Sequence, residues 1–203
     1  MILTSLGITT YSTLPRKLKR SVGILAKTRH YLPISIRLQL YYTFIYPYLT
    51  YALTTWGNTY VTTLKSLITL QKKGIRLISF AEFRAHTSPL FSHLEILKLS
   101  DLIFLNNALL MYDFHENNLP PVFHDFFTPV SNVHKYNTRL ASKDSYYISK
   151  VRTNYGKFSF RYVGAKVWNS IDDKQYLKYL LGYLMFFALC LPMPRIYMPC
   201  LYL

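Results

Sequence analysis

The sequence predicts a mainly α-helical protein, a helical bundle followed by a smaller region of helices and irregular chain. Apolar residues recur at helical spacing in several separate segments, which is the primary signal. Hydrophobic residues make up 51% of the chain and aromatics 17%, with only seven glycines. That composition can build a core and excludes a disordered tail or a glycine-rich linker. At 203 residues the chain can bury one well-packed domain, or two small helical subdomains, without disulfides or metals.

Taken in order, residues 1–14 are expected to be an irregular N-terminal segment. They carry no charge and no clear period, and they lack the basic start and the cleavage site of a signal peptide. From Pro15 the pattern changes. Leu18, Val22, Ile24 and Leu25 are read as one helical face, with Lys17, Arg20, Lys27 and Arg29 on the others, and the helix ends near Pro33. Residues 34–46 and 47–56 form two apolar, aromatic segments separated by Pro47, which breaks a continuous helix. Their Tyr41, Tyr42, Phe44, Tyr46, Tyr48 and Tyr51 are expected in the core rather than on a stacking platform.

Gly57-Asn58 marks a turn. Beyond it Leu64, Leu67, Ile68, Gln71, Ile75 and Ile78 make a second stripe, flanked by Lys65, Lys72, Lys73 and Arg76. After a break at residues 86–89, helices are expected over 90–97 and 100–115, with Ser100 and Asp101 suited to the cap and first turn. Residues 117–121 end that helix, 128–150 read as a polar loop with a short strand near 146–151, and a last helix covers 157–170. The tail differs from everything before it. Its uncharged run, residues 179–194, is sixteen long, shorter than the roughly 20 residues of a spanning helix.

Twenty-four Lys and Arg against nine Asp and Glu give a net charge of +15, a field that calls for an anionic partner, nucleic acid or anionic membrane. All eleven charges in residues 1–81 are basic, and the first acid is Glu82. Ordinary solubilising surfaces mix the two signs, so nucleic acid is the favoured partner. The expected nucleic-acid-binding residues fall in three patches: Lys17, Lys19, Arg20, Lys27 and Arg29; Lys65, Lys72, Lys73 and Arg76; and Arg152, Lys157 and Arg161, which alternate with Tyr155, Phe158 and Phe160. The only cysteines, Cys190 and Cys200, have no histidine near them and suggest neither a zinc site nor a disulfide framework. A reducing compartment follows as the expectation, nuclear or cytoplasmic and not secreted.

Catalytic chemistry finds little to work with. Two-metal chemistry needs clustered carboxylates, and the only adjacent pair is Asp172-Asp173 at the end of the last expected helix. None of His30, His86, His93, His115, His124 and His134 falls in a metalloprotease spacing, and no glycine-rich phosphate loop occurs. No catalytic residue, metal ligand or cofactor is therefore assigned.

Several strings are nonetheless specific. KRSVGILAKTRHYLP (19–33), LYYTFIYPYLTYALTTWGNTY (40–60) and LQKKGIRLIS (70–79) resemble, in order and spacing, the region just after the catalytic palm in reverse transcriptases of jockey-like non-LTR retrotransposons. HTSPLFSHLEILKLSDL (86–102), YNTRLAS (136–142) and RTNYGKFSFRYVGAKVWNSI (152–171) look like the C-terminal part of the same polyproteins. The resemblance implies a parent RNA-directed DNA polymerase using Mg2+. Residues 15–81 would be its basic, helical, thumb-like region, which grips template-primer duplex, and 82–171 the C-terminal region of the polyprotein. The palm motif with its metal-binding aspartates is absent upstream, and the apolar tail 172–203 leaves the family pattern. The expectation is thus a transposable-element fragment that binds RNA or RNA–DNA duplex without polymerase activity of its own, its missing partner being the palm and fingers. Two other readings stand beside it: a membrane-associated protein with basic helices and a C-terminal apolar anchor, and a domesticated helical interaction protein.

Overall fold

The computed structural model describes residues 2–133, 136 and 144–171, with side chains from Thr13 onward. The chain divides into two compact units, Met1–Asp172 and Asp173–Leu203. The second unit lies outside the described residues, and with it the apolar tail, Asp172-Asp173 and both cysteines; His134 also lies outside. The first unit is mainly helical. Among the described residues there is no strand, only an isolated antiparallel bridge between Pro129 and Tyr146, so the short strand expected near 146–151 is not formed.

The first helix, α1, spans Ile2–Thr28 with Pro15 inside it. This corrects the irregular reading of residues 1–14. An interior proline removes a backbone hydrogen bond, but Leu14 and Leu18 on either side of it are both buried, and that burial carries the helix through. Leu18, Val22 and Leu25 face the core, whereas Ile24 is 49% exposed. Two positions beyond Val22, Ile24 lies some 200° around the helix at 100° per residue, so it cannot share the face.

Helices α2 (Ile34–Phe44), α3 (Tyr46–Thr50) and α4 (Leu53–Trp56) follow. Pro47 falls in the first turn of α3, where its missing N–H costs nothing, and the break comes at Ile45. Tyr41 is fully buried, and Tyr42, Tyr46 and Tyr48 pack against the core. Phe44 and Tyr51 are exposed instead. The α2–α3 break and the short helices that follow turn the chain, so helical spacing does not carry from one aromatic to the next.

Helix α5 (Val61–Ile78) buries Leu64, Leu67, Gln71, Ile75 and Ile78 of the expected stripe, with Ile68 partly buried beside it, and buries Gly74 and Leu77 as well. Gln71 is the polar member of that stripe. Its Nε2 donates to the Tyr41 hydroxyl (3.1 Å) and to the Leu97 carbonyl (2.9 Å), and its Oε1 accepts the Leu99 N–H (3.0 Å). Gln71 thereby satisfies the start of α7 (Leu99–His115), whose flanking residue Lys98 makes no capping bond. Ser100 is not the cap, because the helix already begins at Leu99 and its free N–H is met from another helix. The helix expected over 90–97 is α6 (Ser88–His93), shorter and earlier by two residues.

Helix α7 joins this bundle to the C-terminal elements, packing against α4 on one side and α10 on the other. These elements are a 3-10 turn (Pro121–Phe123), α8 (Val130–Val133), α9 (Asn154–Phe158) and α10 (Phe160–Ser170). The single helix expected over 157–170 is split at Ser159, whose backbone is extended. At Gly164 an added Cβ would come to 2.7 Å from Met111 Sδ and 3.0 Å from Phe127, so a side chain there would push both aside; this glycine lets α10 lie close on α7. Among the described residues no helix is long and apolar enough to cross a membrane.

Candidate nucleic-acid interface

Burial of one stripe on α1 and another on α5 decides where the charge goes. With Leu14, Leu18, Val22 and Leu25 inward on α1, and Leu64, Leu67, Gln71 and Ile75 inward on α5, the basic residues between them are left to solvent. The two helices run in the same direction. Pro15, Arg16 and Lys19 line one groove with Thr62, Ser66 and Thr69, a Cβ at Gly74 would lie 4.0 Å from Val22 Cγ2, and Arg29 reaches Phe80 beyond the end of α5.

Along this parallel pair lies an open groove of about 830 Å³. Pro15, Arg16 and Lys19 line it from α1 and Thr62, Lys65, Ser66, Thr69 and Leu70 from α5, and most of its surface is apolar, with the three cations and three hydroxyls set into it. Cations and hydroxyl donors on a surface without a carboxylate are the chemistry that phosphate oxygens require. At helical spacing Lys65, Thr69, Lys72 and Arg76 continue as one stripe along α5. An 18-residue helix spans roughly 27 Å, the axial length of roughly eight base pairs.

The expected binding residues divide on this geometry. Lys19 and Lys65 come together in the groove. Arg20, Lys27, Lys72 and Lys73 are exposed on the same two helices. Lys17 turns to the other flank of α1, its Nζ 5.9 Å from the Tyr48 ring centre. Arg29 lies over Phe80 at 4.8 Å. Arg76 is half-buried, and its Nε donates to the Ala85 carbonyl (2.9 Å), which ties it to the loop after α5. In the third patch Arg152 and Lys157 are exposed, and Arg161 lies over Phe126 at 4.9 Å. Of its aromatics only Tyr155 projects freely, at 88% exposed; Phe160 packs on Phe127 and Phe158 on Tyr60. The Tyr60 contact sets α9 against the residue that precedes α5.

The sequence reading left Arg16 out of the first patch. Its signal was present in the spacing: Arg16 and Lys19 are three apart and flank the buried Leu18, so both fall on one edge of the apolar stripe.

Proton-transfer chemistry is not apparent beside the groove. Burial raises the Tyr41 hydroxyl far above its ordinary range against the opposing bond from Gln71, and burial with Tyr46 and Glu95 nearby pushes Tyr42 up to about 12. These phenols stay neutral near pH 7. In the C-terminal elements the Tyr146 hydroxyl, 3.1 Å from His115 Nδ1, is pushed up to about 12, by burial and then by Asp144. Among the described residues no three His, Cys, Asp or Glu side chains gather into a metal-holding group. Compared with known proteins, the chain matches no family model, no curated protein and no solved structure.

Proposed function

We propose that this chain is the thumb and following region of a reverse transcriptase of the jockey-like non-LTR type, and that its helical bundle grips template-primer duplex along the α1–α5 groove. The observation that carries the binding role is the groove itself. Arg16, Lys19 and Lys65 face one channel, in a stretch of 81 residues without one acid. The resemblance of residues 19–33, 40–60, 70–79, 86–102 and 152–171 supports the family. Arg20, Lys27, Arg29, Lys72, Lys73 and Arg76 extend the contact, and Arg152, Lys157 and Arg161 offer a further one. Polymerase chemistry and its Mg2+ belong to a palm and fingers, with which this segment would work as the duplex-holding part.

Binding of this kind is weakly sequence-specific and salt-sensitive. Filter binding to an RNA–DNA duplex is expected to show affinity at low salt that falls linearly in log–log form, by about 0.9 per phosphate neutralised. Lys65→Gln should flatten that slope by about one while changing stability by less than about 0.5 kcal/mol, as for other exposed positions. Absence of affinity at low salt, or a salt-independent affinity, would overturn the proposal.

A further inference from the structure

We propose that the C-terminal end of the α1–α5 pair carries a phosphate anchor, in which Arg29, backed by Phe80 and by the buried charge of Arg37, holds one backbone phosphate of the bound nucleic acid. The inference rests on the duplex-binding reading above and assigns a particular site within it.

Phe80 is the starting point. After α5 the Ala81 N–H donates to the Arg76 carbonyl (2.9 Å) and the Phe80 N–H to the Leu77 carbonyl (3.4 Å). That is a left-handed helix cap, and Phe80 holds its left-handed position at φ 57°. Glycine or asparagine usually takes this place, since a side chain there costs on the order of 1 kcal/mol. Here it is a phenylalanine, 50% exposed, whose half-burial is worth about as much, enough to meet that cost.

Two cations converge on that ring. The Arg29 guanidinium lies 4.8 Å from its centre and that of Arg37 5.4 Å, while the His30 ring meets it edge-on at 5.2 Å. Both charges sit on one side chain, at about one screening length of ~10 Å or less in 0.1 M salt, and the first acid of the sequence, Glu82, comes two residues after Phe80. Arg37 is 8% exposed, and its Nε is buried without a hydrogen-bond partner. Its Nη1 donates to the Leu77 carbonyl (3.0 Å), which caps α5 and accounts for one nitrogen of the guanidinium. Capping explains neither the second guanidinium nor the ring at a glycine's place.

Arg29 is the member that can reach a ligand. Its Nε donates to His30 Nε2 (3.1 Å), which fixes the direction of the guanidinium and leaves both terminal nitrogens for two parallel bonds to phosphate oxygens. The C-terminal end of α5 meets part of the Arg37 charge through the Leu77 carbonyl, and a phosphate at Arg29 would ease the remaining repulsion between the two guanidinium groups.

The test uses the whole chain, with fluorescence anisotropy of a labelled RNA–DNA duplex over a salt series. Arg29→Gln should weaken binding roughly fivefold or more at 0.1 M salt and flatten the salt slope by about one. Phe80→Gly suits the left-handed backbone, so thermal stability should hold or rise while affinity falls to a similar degree. If wild type binds and Lys65→Gln flattens the slope, but Arg29→Gln and Phe80→Gly change neither affinity nor slope, the anchor is refuted and the groove stands. If wild type does not bind duplex at low salt, groove and anchor fall together. Loss of binding to phosphatidylserine vesicles by Arg29→Gln, with duplex binding intact, would overturn the anchor in favour of a lipid headgroup site.

Discussion

The bundle of α1–α5 and the elements around α10 solve the same problem with different side chains. In the first, Leu18, Val22, Leu25, Leu67, Ile75 and Ile78 make a mainly aliphatic core between α1 and α5, with Tyr41, Trp56 and Phe91 at its sides. In the second, short helices and loops gather on rings: Phe114 on Phe127 at 4.8 Å, Phe127 on Phe160 at 5.3 Å, Tyr146 on Trp168 at 6.1 Å, and His115 on Trp168 at 5.0 Å. Long helices with a narrow aliphatic stripe leave most of their circumference free for charge. Short segments have few inward positions each, so they need large residues with polar tips that also fasten loops. Trp168 Nε1 donates to the Asp144 carbonyl (3.0 Å), and the Asn169 side chain both accepts from the Tyr146 N–H (3.0 Å) and donates to its carbonyl (2.8 Å).

The comparison can be broken most directly at Trp168, which is fully buried. Trp168→Ala should cost about 3–5 kcal/mol, read as a shift in the denaturant midpoint, because it empties the ring cluster and removes the bond to the Asp144 carbonyl together. Leu18→Ala, in the aliphatic core, should fall within about 2–5 kcal/mol and shift the same transition, since residues 1–172 form one compact unit. A smaller effect at Trp168 than at Leu18 would mean that the rings are not what holds the C-terminal elements. Next in size is Gln71→Ala, at about 2–3 kcal/mol, because it leaves the Leu99 N–H and the Leu97 carbonyl without their partner.

The smallest effect near neutral pH separates the regions by titration. Tyr42 in the bundle and Tyr146 among the C-terminal elements are each pushed up to about 12, above the ordinary value of about 10. The unfolded chain therefore loses these protons first. Their contribution to stability is complete below about pH 10 and disappears as pH rises through about 12. Tyr42→Phe and Tyr146→Phe should each reduce the alkaline loss, followed by circular dichroism from pH 8 to 12. An alkaline profile unchanged by both substitutions would show that neither hydroxyl governs it.

The same contrast explains what could be read from the sequence. Most of the α5 stripe was legible, Gln71 included, because an amphipathic helix repeats its pattern over five turns; Gly74 and Leu77, also buried, were not read as part of it. Ile24 was misplaced, since an apolar residue next to a stripe looks like part of it until the angle is counted. The start of α1 was missed because Pro15 reads locally as a boundary, while Leu14 and Leu18 outweigh it through tertiary burial. Ser100 was taken for a cap when the acceptor was Gln71, a side chain 28 positions away, which no local pattern encodes. The outward placement of Phe44 and Tyr51 depends on the break at Ile45 and the left-handed Ala52, again a matter of chain direction. For the candidate interface, the cations were visible but not their grouping: Lys19 and Lys65 share a groove, Lys17 faces away, and Arg16 joins them only once the two helices are side by side.

That side-by-side placement has a kinetic side as well. Two parallel helices cannot be joined by a tight turn, so α2, α3 and α4 must cross back before α5 can lie along α1, and Arg16 meets Lys65 from about fifty residues away. Contacts of such long sequence separation form after local ones, because the intervening chain must be ordered first. The α1 helix can therefore present its cations early, as a bare basic rod, while a groove with two walls exists only after the bundle has closed. On the proposed reading, an α1 that has emerged ahead of α5 during synthesis would attract a polyanion only loosely, and a shape-dependent grip would have to wait until the bundle closes.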